Sequence, residues 1–508
     1  MSLHPFEMWT PSESTSVTVI TVVCRKSFEN MAMRFVKHLN QAFAFRQPLA
    51  AVSIIGNLAI LLALLLPPSL KAQTKAPAPA GPLSLPQAVD IALKHNPSVH
   101  AATAYADAAR HAIDTARAGY LPQLNFSEGV TRGNNPVYVF GTLLTQRQFT
   151  AANFDLGFLN VPPPLDNFRT QFAASMSLYD FGRTSDRVRN ARIEAQGGRS
   201  NVSRTEQNVV FDVIKAYLSG LLAREQIRVA EAAVAMAKAD LQRAQAREQQ
   251  GLAVASDVLS AQAQLAQAGE DLVRAQNAEA ISLSVLNVAM GLPEDAPTQT
   301  DSKLATVQAP AEDLSSLQKQ ALKQRPDYHE AQLQAEQAGN SVSLARKEFL
   351  PRIDLMGSWE LDNQTFASRG GNNWIAGATL TFNIFNGGAR LAQIAQSRAY
   401  QQRAEAMRSQ TESAVRLQVR EAYLNLNAAR QRVEVSRDAA AQAEESLRIL
   451  QNRYGEGLAT IMDVLRAETM RTSAQNNHLN AVYDLRLAVA TLELATGALG
   501  PGSPAVTQ

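Results

Sequence analysis

The sequence has very little cysteine, few aromatic residues and almost no net charge. Cys24 is the only cysteine among 508 residues, and it lies upstream of the apolar segment described below. A mature chain that starts after this segment has no disulfide, no thiol nucleophile and no cysteine for a lipid anchor. The formal net charge of +2 gives no reason to expect binding to nucleic acid. Only 6% of residues are aromatic and 19% are charged, while Ala, Gln and Leu dominate long tracts. This mixture favours long helices over a conventional compact core.

Sequence motifs of common enzymes are also missing. There is no glycine-rich phosphate loop followed by lysine, no His-Glu-x-x-His and no Cys/His metal cluster. Three of the seven histidines, His95, His100 and His111, share one helical region, but their spacing does not put all three on one face. We therefore predict no catalytic residues, no metal site and no cofactor, and expect any energy that the protein uses to come from a partner.

The N-terminal segment has the pattern of a secretory signal. Basic residues at 34, 37 and 46 precede an apolar run from Leu49 to Leu66, which two prolines end, and small residues suit cleavage after Ala72. Because the run is 18 residues long, an uncleaved membrane anchor is the alternative. Residues 1–32 fit no signal pattern, so Met33 is the predicted start. We assign residues 1–72 to an extension and signal peptide, and 73–86 to a Pro/Ala-rich linker.

The rest of the chain contains a duplication. Ala92–Pro97 reappears as Ala321–Pro326 at an offset of 229, whereas later motifs repeat at an offset of 206. These later pairs are Ala216-Tyr217-Leu218 with Ala422-Tyr423-Leu424, Gly251-Leu252-Ala253 with Gly457-Leu458-Ala459, and Asp257-Val258-Leu259 with Asp463-Val464-Leu465. The first half therefore carries 23 extra residues between Pro122 and Leu178, and Pro163 and Pro164 predict a loop there. We predict repeats over 87–298 and 312–499, a linker over 299–311 and a short tail over 500–508.

Each repeat contains two strand-like runs. Apolar residues alternate with small or polar ones over 171–178 and again over 374–383, which is the pattern of a strand with two different faces. Weaker partner strands are predicted around Leu124 to Val130 and Ile353 to Leu361. The alternation suits a membrane barrel with lipid outside and water inside.

A long helical tract follows each pair of strands. The tracts near Arg183–Gln249 and Ala389–Tyr454 contain no proline, and each corresponds to a rod of roughly 100 Å. Apolar or small residues recur at alternating steps of three and four, and only Ser436 interrupts this seam. Such a seam predicts that each tract packs along another helix. A return helix after each glycine turn, ending near Met290 and Thr496, is the predicted partner.

With these features the chain resembles the TolC-type outer membrane efflux protein family, over about residues 83–499. The motifs that carry the resemblance occur twice and in the same order, and they are Leu121-Pro122 with Leu350-Pro351, Tyr179-Asp180-Phe181-Gly182 with Phe385-Asn386-Gly387-Gly388, and the two Gly-Leu turns with their following Asp-Val. The resemblance implies a mainly α fold with membrane β structure and two structural repeats per protomer. Three protomers would share one 12-stranded β-barrel, four strands each, continued by a 12-helix α-barrel tunnel. Oligomerisation is also the simplest way for four short strands to avoid open edges in lipid.

The resemblance implies an outer-membrane channel-tunnel, with its helices in the periplasm, that exports small molecules or metal ions as the exit duct of a tripartite pump. The implied partners are two further copies in a homotrimer, a periplasmic adaptor (membrane fusion) protein, an inner-membrane pump reached through it, and outer-membrane lipid. One alternative is the exit duct of an ATP-driven protein secretion system. Another is a periplasmic coiled-coil adaptor or scaffold anchored by Leu49–Leu66, which explains the long helices but not the strands or the repeat.

The two glycine turns are the candidate functional site. By resemblance, they lie at the periplasmic tip, where Gly251, Leu252, Gly457 and Leu458 would form the turns and dock the adaptor. The residues implied in pore constriction or tip gating are Asp463, Arg466, Asp257 and Tyr454.

Each of these gating assignments has a structural alternative. Asp463 falls where the family has a ring of carboxylates, but it also suits the first turn of a helix. For Asp257 the structural role is the favoured one, and Tyr454 could simply pack the helix end. Arg466 and Ala459 depart from family positions that hold a second acid and an arginine lock. We expect weaker cation selectivity from the former and a less tightly latched tip from the latter.

Overall fold

A computed structural model of the chain describes residues 81–301, 303–307, 313–366 and 370–507. The predicted signal peptide, the alternative membrane anchor, the Met33 start and most of the Pro/Ala-rich linker lie outside the described residues. Within those ranges, no helix is both long and apolar enough to cross a membrane.

The first repeat begins with two helices joined by an Asn-Pro pair. Asn96 ends the first helix and caps the second, because its side chain accepts a hydrogen bond from the Ser98 N–H at 2.8 Å. Proline suits the first position of a helix, where its missing N–H is not needed. The elements of this repeat are α1 (Leu85–His95), α2 (Pro97–Arg117), β1 (Gln123–Gly133), α3 (Pro136–Thr145), α4 (Leu156–Asn160), β2 (Leu165–Tyr179), α5 (Arg183–Gln249) and α6 (Ala255–Ala289).

The second repeat has the same order of elements without the two short helices. It consists of α7 (Leu314–Gln324), α8 (Pro326–Lys347), β3 (Arg352–Asn363), β4 (Gly371–Thr381), α9 (Ala389–Gly455) and α10 (Ile461–Thr496), and a last short helix, α11 (Pro504–Thr507), follows it. The prediction of a mainly helical chain with four strands is confirmed. The repeat, linker and tail boundaries given above stay predictions.

The 23 additional residues of the first repeat are not only a loop. Asn135 accepts hydrogen bonds from the N–H groups of Val137 and Tyr138 and so starts α3. Val139 and Leu143 of this helix are buried against Leu165 at the start of β2. The prolines at 163 and 164 predicted a loop. This prediction is correct for the two positions themselves, since no helix or strand includes them. They gave no sign of the helices before them, because a ten-residue apolar helix has no clear periodicity.

The four strands form one sheet in the order β1-β2-β3-β4. β3 and β4 are antiparallel, with Arg352 opposite Thr381 and Trp359 opposite Trp374. The Phe126 and Phe172 ring centroids are 5.2 Å apart, and those of Phe172 and Trp359 are 6.0 Å apart. A row of aromatic side chains thus crosses β1, β2 and β3 and ends opposite Trp374, which fixes the register.

The two long helices, α5 and α9, are 67 residues each, which corresponds to about 100 Å. Each starts after a glycine in the left-handed conformation, Gly182 or Gly388. The predicted seam of α5 is largely buried, and α5 packs along α6 as α9 packs along α10. The interruption at Ser436 is matched on the partner helix, because its hydroxyl lies 3.2 Å from Nδ1 of His478.

The two ends of each repeat are tied together in the same way. The Asn96 side chain donates to the Ala289 carbonyl at 2.8 Å, and in the second repeat the Arg325 guanidinium donates to the Ala495 carbonyl at 3.2 Å. The predicted tail also packs on the core, since Val506 is buried in the same cluster as α1 and α5. The Asn-Pro and Arg-Pro motifs therefore bind the start of each repeat to the end of its last helix.

Candidate functional site at the hairpin tips

The glycine turns end α5 and α9 with the same backbone geometry. Gly251 and Gly457 have φ angles of +73° and +78°, a conformation that glycine adopts without strain. The Leu252 N–H donates to the Arg247 carbonyl at 2.8 Å, and the equivalent bond from Leu458 has the same length. This bond satisfies one of the last free carbonyls of each helix and lets the chain reverse into α6 or α10.

Apolar side chains project from both turns into solvent. Leu252 is 65% exposed, Leu458 is 64% exposed and Val254 is 61% exposed. Exposed apolar groups clustered at one place are typical of a contact surface. The docking role of the two leucines stays a prediction, and their exposure is consistent with it.

Asp463 caps the start of α10. Its carboxylate accepts hydrogen bonds from the Thr460 N–H at 3.0 Å and the Thr460 hydroxyl at 2.6 Å. In return, the Asp463 N–H donates to the Thr460 hydroxyl oxygen at 3.2 Å, which completes a capping box. The hydrogen bonds from Thr460 hold the pKa of Asp463 below its usual value of 3.8, with smaller contributions from Arg466 and Arg453. Within one chain the carboxylate is a helix cap, and its place in a pore ring stays a prediction.

Asp257 occupies the equivalent position of the first repeat with a weaker cap. Its carboxylate accepts a hydrogen bond from the Val254 N–H at 3.5 Å. Valine has no hydroxyl, so the reciprocal bond that Thr460 accepts in the second repeat is absent here.

Two other tip positions depart from the family pattern, and the structure describes both. Arg466 is exposed and contributes to lowering the pKa of Asp463, although no ion pair joins the two in the described part of the chain. Ala459 packs against the apolar cluster around Tyr454. The effects expected of these two departures, on ion selectivity and on latching, stay predictions.

Tyr454 is buried at the end of α9. It is 7% exposed and packs with Leu447, Ile461 and Val464 in a small apolar cluster. Its hydroxyl has no hydrogen-bond partner among the described residues. Burial raises the pKa of this hydroxyl, and the nearby carboxylate of Asp257 acts in the same direction. The two predicted gating residues are thus brought near each other without a hydrogen bond between them.

The polar contact at this place comes from Arg247, which is not among the predicted site residues. The Arg247 guanidinium donates to the Tyr454 carbonyl at 2.8 Å, and its central carbon lies 4.7 Å from the centroid of the Tyr454 ring. A hydrogen bond and a cation–π contact therefore join the end of α5 to the end of α9. The seam pattern contained a signal, because steps of three and four from Ala244 and Leu450 lead to Arg247 and Tyr454.

These groups offer charges, hydrogen bonds and apolar surface. No set of three or more His, Cys, Asp or Glu residues is placed to hold a metal ion in the ranges that the structure covers. These contacts join the helix ends within one chain, and exposed apolar side chains lie at the two turns. Gating and docking at the turns stay predictions.

Comparisons with known proteins agree with this geometry. The sequence profile of outer membrane efflux proteins matches residues 88–292 and 317–498. Protein CyaE of Bordetella pertussis is 28% identical over 464 residues, which cover 89% of this chain and 93% of the relative. Alkaline protease secretion protein AprF of Pseudomonas aeruginosa is 24% identical over 432 residues, which cover 82% of this chain and 85% of the relative.

The fold is similar to that of solved outer-membrane channels. The Campylobacter jejuni CmeC outer membrane channel superimposes with a TM-score of 0.71 at 18% identity, covering 86% of this chain and 92% of that chain. At this level of identity the similarity concerns the fold.

Proposed function

Since the chain belongs to the outer membrane efflux protein family, we propose that three copies of it close one export duct that an inner-membrane pump feeds through a periplasmic adaptor. The protein is an outer-membrane channel with its helical part in the periplasm. What we propose beyond this is the number of subunits, the closed barrel, the partners and the cargo.

The four-stranded sheet carries the proposal of a shared barrel. β1 and β4 are the two edges of the sheet within the described residues, and each pairs on one side only. Apolar side chains on these strands are exposed, among them Leu124 on β1 and Trp374 on β4. Because lipid cannot satisfy unpaired N–H and C=O groups, an edge must pair with another strand. Pairing β1 of one copy with β4 of the next closes 12 strands from three copies.

The helices support the same count. α2 packs on α5, α5 on α8, and α8 on α9, so four helices lie side by side. Three copies would supply the twelve helices of a tunnel that continues the barrel.

For the cargo we propose small molecules or metal ions, delivered by the pump. The exposed Leu252 and Leu458 side chains support docking of the adaptor at the tips. Substituting both leucines with Asp should abolish binding of the adaptor in a pull-down with the purified partner, while the assembled channel stays intact.

Conductance in a planar bilayer tests the duct. The purified mature protein should run as a trimer by native mass spectrometry and give discrete channels. Asp463→Ala should change their ion selectivity, whereas Asp257→Ala, at the equivalent position of the other turn, serves as the matched control. A folded trimer without channels, or equal effects of the two variants, would count against a constriction at Asp463.

A further inference from the structure

Two acidic side chains meet inside the interface between α5 and α10. Asp240 of α5 is 0% exposed and Glu468 of α10 is 5% exposed. The two side chains lie close enough together for Asp240 to raise the pKa of Glu468. Asp240 belongs to the first helical hairpin, formed by α5 and α6, and Glu468 belongs to the second, formed by α9 and α10. The contact therefore joins the two repeats.

A hydrogen bond between two carboxyl groups requires a proton. An ionised carboxylate only accepts hydrogen bonds, so one of the two groups must be protonated. Asp240 Oδ2 and Glu468 Oε1 have no hydrogen-bond donor elsewhere in the described part of the chain. Two neighbouring negative charges that are both buried in a protein would repel each other strongly. One shared proton would supply a hydrogen-bond donor that this pair of carboxyl groups otherwise lacks.

Neither of the two nearby arginines forms its ion pair with Glu468. Arg243, one turn along α5, forms an ion pair with Asp240. Arg471 of α10 forms an ion pair with Glu444 of α9. No ion pair reaches Glu468 in the ranges that the structure covers, although both arginines lie close enough to oppose the rise of its pKa.

Two uncharged groups from α6 and α9 also lie near the pair. From α6, the uncharged Gln264 donates to the Thr469 hydroxyl at 3.5 Å, next to Glu468. From α9, the buried Tyr454 lies close enough to Asp240 for that carboxylate to raise the pKa of its hydroxyl. Arg471 also donates to the Met236 sulfur of α5 at 3.2 Å. If both carboxyl groups were ionised, one of the two negative charges would therefore have no ion-pair partner among these groups.

We propose that Asp240 and Glu468 bind one proton between them, and that this proton holds the first hairpin to α10. When the proton is lost, two carboxylates face each other in a buried interface and the contact weakens. The pair is complete within one chain, so the proposal does not depend on the number of subunits or on the cargo.

The direction of the pH effect follows from the pKa of Glu468. Burial, together with the hydrogen bond and charge of Asp240, raises this pKa from 4.5 to about 9. A group whose pKa is higher in the folded contact than in the open one stabilises the contact fully below the lower value. The stabilisation falls as the pH rises and is gone once the pH has passed about 9. At neutral pH the pair keeps its proton.

Infrared difference spectroscopy of the full mature protein tests the protonated state. We expect the carbonyl stretch of a buried protonated carboxyl at pH 7, lost on titration to alkaline pH and absent in Glu468→Gln. The control is Glu445→Gln, because Glu445 is an exposed acid of α9 that pairs within its own helix. No such band at pH 7, or a band that persists in Glu468→Gln, overturns the proposal.

Hydrogen exchange tests the contact itself. After correction for the intrinsic pH dependence, opening of α5 and α10 around the pair should increase up to about tenfold per pH unit until the proton is lost. Glu468→Gln keeps a neutral hydrogen-bond donor and should make the opening independent of pH. A wild-type profile without this slope, or a Gln variant that retains it, contradicts a proton that holds the helices together.

Discussion

The two helical hairpins share their turns but differ in the polar residues beside them. Gly251 and Gly457 have almost the same left-handed backbone. The residue that precedes the return helix is Val254 in the first hairpin and Thr460 in the second. The two repeats therefore have the same residue where the backbone geometry limits the choice. They have different residues where the side chain is free to vary.

The contacts that join the hairpins pair positions that are not equivalent. Arg247 contacts Tyr454, whereas Arg453, its equivalent in the second repeat, makes no side-chain hydrogen bond in the described chain. Asp240 meets Glu468, but their equivalents in the other repeat are Ser446 and Gln262. The duplication thus supplies two similar hairpins, and the differences between them supply the contacts that join one hairpin to the other.

The largest effect is expected at the base of the hairpins rather than at their tips. A Cβ on Gly291 would lie 2.4 Å from the His95 carbonyl oxygen, and one on Gly497 would lie 2.9 Å from the Gln324 carbonyl carbon. Both glycines also have positive φ. Alanine at either position should lower the free energy of unfolding by about 3 kcal/mol, from strain and overlap together.

Alanine at Gly251 is the comparison for these two substitutions. A Cβ there meets nothing within 4 Å, so only the backbone strain of about 1–2 kcal/mol applies. Thermal unfolding of the purified variants measures the difference. Equal midpoints for Gly291→Ala and Gly251→Ala would show that packing at the base adds nothing.

Arg247→Ala should separate the ends of α5 and α9. The substitution removes both the hydrogen bond to the Tyr454 carbonyl and the cation–π contact, so we expect opening of the tip to increase about tenfold. Hydrogen exchange at the end of α9 measures it. Arg453→Ala is the matched control at the equivalent position, and an equal effect of the two would remove the asymmetry between the hairpins.

Exchanging the capping residues should make the two return helices alike. Thr460→Val removes the capping box of α10 and should increase exchange in its first turn about fivefold, while Val254→Thr should slow exchange at the start of α6 by a similar factor. If neither helix start responds, the capping boxes do not explain the difference between them.

The α10 cap should also depend on pH. Because the folded pKa of Asp463 is lowered from 3.8, its contribution is present above that pH and is lost as the pH falls through the lowered pKa. Exchange in the first turn of α10, followed in acid for the wild type and for Asp463→Asn, measures this loss. A wild-type helix start that is unaffected by acid would contradict it.

An effect about as small as that of the caps is expected at the seam. Ser436 and His478 of the second hairpin replace Ala230 and Leu272 of the first. Ser436→Ala alone leaves His478 without its partner and should cost about 1 kcal/mol, whereas Ser436→Ala with His478→Leu should be nearly neutral. Thermal unfolding of the single and double variants tests this, and a double variant less stable than the single one would contradict it.

Much of the fold could be predicted because its signals are local or repeated. Long tracts without proline and with a regular seam predicted α5 and α9, and their ends agree with the structure within one residue. The glycine turns were visible because a helix reversal needs a left-handed residue. The short helices after β1 were missed, since ten apolar residues do not distinguish a helix from other buried structure.

The contacts of the candidate site were harder to predict. Asp463 and Tyr454 were found through the resemblance. Residues near Asp463 in the sequence explain why it caps a helix, but residues near Tyr454 in the sequence do not explain why it is buried. Arg247 and Asp240 resemble the many other charged residues on a 67-residue helix. The seam steps that lead to Arg247 give a signal, but which charged residues lie in an interface and which in solvent is decided only by the packing of the two helices.

By itself, the sequence determined the duplication, the long helices, the four strands and the two glycine turns, because periodicity and backbone conformation are properties of neighbouring residues. Only the tertiary structure decided that Arg247 contacts Tyr454, that Ser436 is matched by His478, and that two acids meet at Asp240 and Glu468. Each of these contacts joins residues from different helices. Their energies depend on burial and distance, which only the packed chain defines.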